Sequence, residues 1–335
     1  MKRSANLMKQ IAARDNLCWA AWRAGRGKRQ RPEVRAFMGR LTDELAALQT
    51  GLNTGAIELG DYHYFTIHDP KERRICAASF RERVLHHAVM RICEPVFERG
   101  LIHHTYACRR GKGQTGAVQA AERNSRRHAW FLKLDVRKYF DSIDHNVLLG
   151  LLERRFKDVP LLGLFGRLLD TYQTAPGKGL PIGNLTSQHF ANYYLDPLDR
   201  FVTATSGFGA YVRYMDDFVI WHSDRARLRA LRTDIEAFLA DRLRLAVKER
   251  TPVHPVGRGL DFLGFRLRPA SRRLDAHSRK RFVRKYRGCL AAFGQGEWTE
   301  SEMQRRLTAL FAFVRQADTY AFRRRVLERF GDVSD

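Results

Sequence analysis

Tyr211 to His222 reads YVRYMDDFVIWH, and Asp216 and Asp217 stand side by side within this otherwise apolar and aromatic run. A tight turn between two short strands accounts for one Asp, a common turn residue, but not for two. Adjacent carboxylates repel and unpaired charge is costly to bury, so the pair asks for a cation, either a metal ion or basic side chains. A second segment repeats the anomaly: FLKLDV, residues Phe131 to Val136, reads as a short strand with Asp135 near its end. With Asp135 at the end of one strand and Asp216 at the turn of a neighbouring hairpin, a strand spacing of about 4.8 Å brings the carboxylates together. Mg²⁺ takes a few carboxylates plus phosphate and water oxygens, and two ions about 3.5–4 Å apart stabilise the attacking and leaving oxygens of a phosphoryl displacement. The chemistry these acids predict is nucleotidyl transfer.

Charge supplies the substrate class. Across 335 residues, 60 Lys and Arg stand against 36 Asp and Glu, a formal charge of +24 that favours a polyanionic partner, nucleic acid first. A membrane surface is the competing polyanion. Met1 to Arg14 has no signal-like apolar core, and no stretch approaches about 18 uninterrupted apolar residues, so the expected location is cytoplasmic and soluble. Five scattered cysteines without a CxxC pair predict neither a disulfide framework nor a zinc knuckle. Neighbouring residues point in different directions, so the doublets His86–His87 and His103–His104 read as structural or surface histidines.

The elements that must position the acids follow from periodicity. Helix is expected through Leu52, with Leu41, Leu45 and Leu48 on one face, interrupted by the basic GRGKRQRP of Gly25 to Pro32, which is either solvated or a phosphate contact. Tyr62 to Ile67 alternates like a strand, with Arg73 to Ala77 as its hairpin partner. Ser79 to Glu82 fits a capping box opening a helix to roughly Val96. YACRRGKGQTGA, Tyr106 to Ala117, could cradle phosphate but lacks P-loop spacing. Asp144 reads as a helix N-cap and Asp141 as turn chemistry. Leu180 to Phe201, LPIGNLTSQHFANYYLDPLDRF, is a loop and then a helix capped by Thr186 or Ser187. Asp224 to Leu245 is an amphipathic helix, Gly259 to Leu267 a hairpin, and Ser278 to Phe330 a basic helical tail. The alternation predicts an α+β fold with helices on one face of a sheet.

The Asp135 strand with its aromatic pair, the glycine loop before a helix, YMDD and the FLG hairpin occur in the order of reverse-transcriptase palm motifs, and from about Phe65 to Leu267 the chain resembles that family. LPIGNLTSQ, where most relatives carry glutamine before the glycine and Ser-Pro later, looks most like the reverse transcriptases of diversity-generating retroelements, which carry no maturase or nuclease appendage. The resemblance implies a right-hand polymerase architecture, a palm antiparallel sheet covered by helices with fingers and a short helical thumb. It divides the chain into a basic helical extension at 1–60, fingers at 61–130, a palm with an inserted fingers segment at 131–270 and a thumb at 271–335.

Carried over by position, it makes Asp135, Asp216 and Asp217 the catalytic acids and, with the Val136 carbonyl, ligands of two Mg²⁺ ions, for which Mn²⁺ could substitute. Phe140 falls at the aromatic gate against a ribose 2′-hydroxyl, the alternative being a core aromatic; Tyr139 is then the core member. Lys71 and Arg73 match the bases that hold the triphosphate, with Arg74 as a substitute for either. Ile182, Gly183 and Gln188 belong to the substrate loop. Phe262, Leu263 and Gly264 match the primer grip, where glycine admits a nucleic-acid backbone, although Leu263 also suits a core. Lys248 or Arg250 would be the general acid. The implied partners are template RNA, a DNA or RNA primer, deoxynucleoside triphosphates and a small basic oligomeric accessory protein. Isoleucine at 182 can offer only shape where glutamine would offer hydrogen bonds, which fits adenine-directed mutagenic copying. Two other readings stay open: another bacterial reverse transcriptase of retron, abortive-infection or group II intron type, and a non-catalytic RNA-binding protein on the same scaffold.

Overall fold

The computed structural model describes residues 3–68, 72–205, 207–248 and 252–331. Among them nine strands form three antiparallel sheets: β1 (Tyr62–Ile67) with β2 (Arg73–Ala78); a central sheet of β3 (Trp130–Asp135), β4 (Ala210–Tyr214), β5 (Asp217–His222) and β6 (His254–Pro255) in the order β4-β5-β3-β6; and β7 (Leu260–Phe262), β8 (Phe265–Arg268) and β9 (Ser271–Leu274) in sequence order. The fold is the expected mixture of antiparallel sheet and covering helices.

Helices do not cover one face alone. Leu132, Leu134, Phe218 and Ile220 enter one core, while Phe131, Val212, Val219 and Trp221 enter a second. Helix Arg225–Leu243 packs on β3 and β5, and helix Gly113–Arg127 packs on β4, β5 and β8. The reason lies in β5, where Phe218, Val219, Ile220 and Trp221 are all buried; an uninterrupted apolar run belongs to a strand buried on both faces. The second core continues into β7–β9 and the C-terminal helices Ala276–Gly294, Glu300–Val314 and Tyr320–Phe330.

Local signals fared unevenly. Ser79 accepts from the Glu82 amide, but the Glu82 carboxylate turns to the Gly60 amide, so the capping box is only half made. A reciprocal box forms instead at Thr299 and Glu302. Asp144 caps helix His145–Glu153 as expected. Helix Leu185–Tyr194 begins after Asn184, which places Thr186 and Ser187 inside its first turn and corrects the assignment of either as its cap. The amino-terminal region folds as helices Met8–Ile11, Arg14–Gly25, Pro32–Gly39 and Leu41–Thr54, with Leu45 and Leu48 buried. All five cysteines are free. No helix among the described residues is long and apolar enough to cross a membrane.

Candidate active site

The register of β3 against β5 places Asp135 directly opposite Asp217, and the turn from β4 into β5 carries Met215 and Asp216 beside them. Met215 has φ 56°, the left-handed region that side chains other than glycine rarely adopt, and this turns Asp216 toward Asp135 and the cleft. Arg213 holds the turn. Its guanidinium is fully buried, pairs with both oxygens of Asp199 at 2.7 and 2.5 Å, and donates from Nη1 to the Met215 carbonyl at 2.9 Å. The Tyr211 hydroxyl also donates to Asp199 at 2.7 Å, and Asn192 accepts from Nη1 at 2.9 Å. Burial raises the Asp199 carboxyl above its ordinary value against the pull of the Arg213 charge and these donors, while Asp199 holds Arg213 charged against its own burial.

The paired acids have found basic side chains. Lys133 Nζ lies 3.0 Å from Asp217 Oδ2, and Lys248 Nζ contacts Asp135 Oδ2. Among the described residues, however, Asp135 Oδ1 and Asp217 Oδ1 are buried with no hydrogen-bond partner. Burial, reinforced by the charge of Asp135, pushes the Asp216 carboxyl up to about 6. Burial also raises Asp217, against the pull of Lys133. With two acids turned to lysines, no group of three His, Cys, Asp or Glu side chains among the described residues is gathered as a metal cage. The donor set still suits a hard divalent cation: two orphaned carboxylate oxygens and a third acid whose charge is resisted by its neighbours. The Val136 carbonyl is left out of the bridge to Val247, whose hydrogen bonds fall on Asp135 and Arg137.

Asp216 and Asp217 face a cleft of about 590 Å³ lined also by Arg73, Val136, Phe140, Ile182, Gly183, Gln188, Leu263 and Lys248. Both Tyr139 and Phe140 line the cleft, but Tyr139 is buried with its hydroxyl donating to the Ala191 carbonyl, while Phe140 is half-buried. The Ile182 carbonyl accepts from the Cys76 amide at 2.8 Å, which ties the loop to β2. Gly183 has φ 127°, and a Cβ there would meet the Cys76 carbonyl and Ile75 Cγ2 at 3.0 Å, so that contact requires glycine. Arg74 turns away, its guanidinium stacked 4.3 Å from the Tyr64 ring. Lys71 and Arg250 lie outside the described residues.

Two grip residues serve the fold instead of the cleft surface. Phe262 is 1% exposed within the second core, beneath Lys133 Nζ. A Cβ on Gly264 would meet Ser278 Oγ at 2.9 Å and Phe313 Cζ at 3.0 Å, so the close approach this glycine permits is that of the C-terminal helices. The Tyr106–Ala117 loop also spends its bases internally: Arg109 binds Glu98 through Nε at 3.0 and 2.9 Å and through Nη2 at 2.6 Å, and Lys112 donates to the His103 carbonyl. Arg213 and Lys133 are the site residues that sequence reasoning passed over. Their signal was the one that exposed the acids, a charge inside an apolar strand.

Residues 68–267 match the family described as reverse transcriptase (RNA-dependent DNA polymerase). Protein YkfC of Escherichia coli is 23% identical over 241 residues, 59% of this chain and 63% of the relative. The group II intron-encoded protein LtrA of Lactococcus lactis is 28% identical over 138 residues, 39% of this chain and 23% of the relative. The chain therefore spans less than two thirds of either relative's length. A solved telomerase from Candida albicans aligns with 79% of this chain and 54% of its own, at TM-score 0.44 and 12% identity.

Proposed function

The chain belongs to the reverse transcriptase (RNA-dependent DNA polymerase) family, and from that premise we propose that it copies an RNA template into DNA at the cleft where Asp135, Asp216 and Asp217 meet. The observation that carries this reading is the pairing of Asp135 with Asp217 across β3 and β5, with Asp216 at the adjoining turn and two buried carboxylate oxygens left without partners. Segment 61–130 acts as fingers, 131–270 as palm and 271–335 as thumb, with 1–60 as a basic extension.

Asp135, Asp216 and Asp217, with the Val136 carbonyl, would hold two Mg²⁺ ions or Mn²⁺ in their place. Such ions supply positive charge to the attacking and leaving oxygens of nucleotidyl transfer. Arg73, at the cleft edge, binds triphosphate oxygens as a charge-assisted donor, joined by Lys71. Phe140 meets the sugar face of the incoming nucleotide and excludes a 2′-hydroxyl. Ile182, Gly183 and Gln188 shape the floor under the nascent pair, and Leu263 reaches the primer side. Lys248 Nζ, in the same cleft, gives the proton to departing pyrophosphate.

The loop LPIGNLTSQ favours a diversity-generating retroelement enzyme that makes adenine-mutagenised cDNA from a template repeat with a basic accessory protein. A second reading, a group II intron type, is favoured by the intron-encoded relative. A template and variable repeat pair in flanking DNA, differing mainly at adenines, separates the two. The activity itself is tested by Asp216→Ala and Asp135→Ala: both should abolish Mg²⁺-dependent primer extension while RNA affinity stays near wild type. Undiminished extension by either variant removes the site, and an inert wild-type protein that still binds RNA leaves the non-catalytic reading.

A further inference from the structure

Helix Gly113–Arg127 ties down the C-terminal sheet through three polar side chains on one face. Gln114 Nε2 donates to the Leu263 carbonyl at 2.8 Å, Glu122 accepts from Arg272, and Arg126 Nε donates to the Pro269 carbonyl at 3.0 Å. Helical spacing brings these groups to one side, where Val118 between them is buried in the second core. Of the three residues held, Leu263 alone lines the catalytic cleft. Gln114 belongs to the Tyr106–Ala117 loop whose bases are engaged internally, and its amide reaches a residue 149 positions away.

We infer that Gln114 is a positioning residue for nucleotide addition: by holding the Leu263 carbonyl it fixes where the hairpin tip stands relative to Asp216 and Asp217, and with it the primer end. The inference rests on the polymerase reading of the cleft, in which Leu263 reaches the primer side, and assigns a residue that reading leaves unused. The sheet of β7, β8 and β9 shares no ladder with the central sheet among the described residues, so strand pairing does not set the distance from hairpin to acids. Phe262 packs in the second core, but apolar packing is non-directional and holds the strand without aiming its tip. Direction comes from two side chains that reach alternate carbonyls of β7 and its turn: Lys133 Nζ donates to Asp261 at 2.8 Å, and Gln114 to Leu263 at 2.8 Å. The tip itself needs holding. Leu263 and Gly264 have φ 51° and 88°, and leucine rarely adopts the left-handed region, so the turn keeps this shape only where its surroundings impose it. The Gln114 bond is one such constraint, placed on the hairpin residue that lines the cleft.

The test uses two substitutions in the full chain: Gln114→Met keeps the length and neutrality of the side chain but has no N–H, and Gln114→Lys restores a donor. Single-turnover extension of a pre-bound primer–template at varied nucleotide is measured beside duplex affinity and the denaturant midpoint. Gln114→Met should lose about tenfold or more in maximal rate, since a displacement of about 1 Å at a reacting centre can cost about a hundredfold. Duplex affinity and the half-saturating nucleotide concentration should stay near wild type. Gln114→Lys should recover most of the rate. Gln114 stands in the first turn of its helix, where an added positive charge meets the positive end of the helix dipole, so Gln114→Lys should be no more stable than Gln114→Met. Activity that returns without stability is not what a merely structural role gives. A wild-type maximal rate in Gln114→Met overturns the inference, as does a Gln114→Lys as slow as Gln114→Met, or a loss confined to duplex affinity or to the half-saturating nucleotide concentration. Each of these leaves the polymerase reading standing. A wild-type protein that extends no primer overturns both together.

Discussion

Replacing Arg213 by Met should separate stability from catalysis. Arg213 and Asp199 are each 0% exposed and joined through two hydrogen bonds, so removing the guanidinium leaves a buried carboxylate whose remaining side-chain donor among the described residues is the Tyr211 hydroxyl. Breaking a buried pair from one side costs about 3–5 kcal/mol. The double variant Arg213→Met with Asp199→Leu removes that stranded charge. The Asn192 and Met215 acceptors that Arg213 served are orphaned in both variants, and the double variant adds only the orphaned Tyr211 hydroxyl, about 1–3 kcal/mol, so it should unfold at higher denaturant than the single one. Activity should not recover with it. Arg213 Nη1 bonds the carbonyl of Met215, which stands at φ 56°, and that charge-assisted bond is worth about 1.5–3 kcal/mol, comparable to the roughly 1–2 kcal/mol of strain it opposes. Without it the turn relaxes and Asp216 shifts; a displacement of about 1 Å at a reacting centre can cost about a hundredfold in rate. Denaturant titration and single-turnover primer extension on the same preparations give the two readouts. A double variant that extends primers at the wild-type rate refutes the claim that Arg213 sets the turn.

Other outcomes follow from the same geometry. Phe140→Ala should admit ribonucleotides without changing base choice, whereas Ile182→Gln should lower misincorporation at template adenine by roughly five- to thirtyfold, worth about 1–2 kcal/mol; sequencing the products of both variants from one RNA decides, and unchanged adenine errors in an active Ile182→Gln place the infidelity elsewhere. RNA affinity should fall steeply and log-linearly with salt, as a +24 chain releases counterions from phosphate; a flat titration denies the basic surface that role. Burial holds His189 down at about 4 against an ordinary 6.5, so the unfolded chain binds more protons between those values; stability is complete above about 6.5 and declines as pH falls toward 4. His189→Phe should flatten that decline by no more than about 1–2 kcal/mol at pH 5, read by denaturation at pH 7 and pH 5.

Asp135, Asp216 and Asp217 were legible because a carboxylate in an apolar strand has no cheap local explanation. Arg213 is an anomaly of the same kind, two residues before Met215, yet its meaning was hidden in a partner with an ordinary appearance: Asp199 follows Pro197 in the first turn of helix Asp196–Ala204, where an acid is unremarkable. No local pattern states that this acid is turned inward to meet a strand. The capping signals divided on similar grounds. Asp144 caps its helix through Oδ1 while its Oδ2 takes the distant Arg244 guanidinium, whereas the Glu82 carboxylate that would have closed the box at Ser79 is taken by the distant amide of Gly60. The FLG hairpin makes the limit plainest. Its glycine announced that something must approach closely, and Gly264 with φ 88° confirms the conformational need. What approaches is Phe313 and Ser278, from helices that follow the hairpin in the chain, and this also fixes Phe262 inside the second core. A positive φ and a missing Cβ are local properties and can be read from a sequence; the identity of the neighbour that fills the space is a tertiary fact. It follows that of the three hairpin residues only Leu263, half-buried, lines the cleft, while Gly264 lets Ser278 and Phe313 of the C-terminal helices seat against the hairpin.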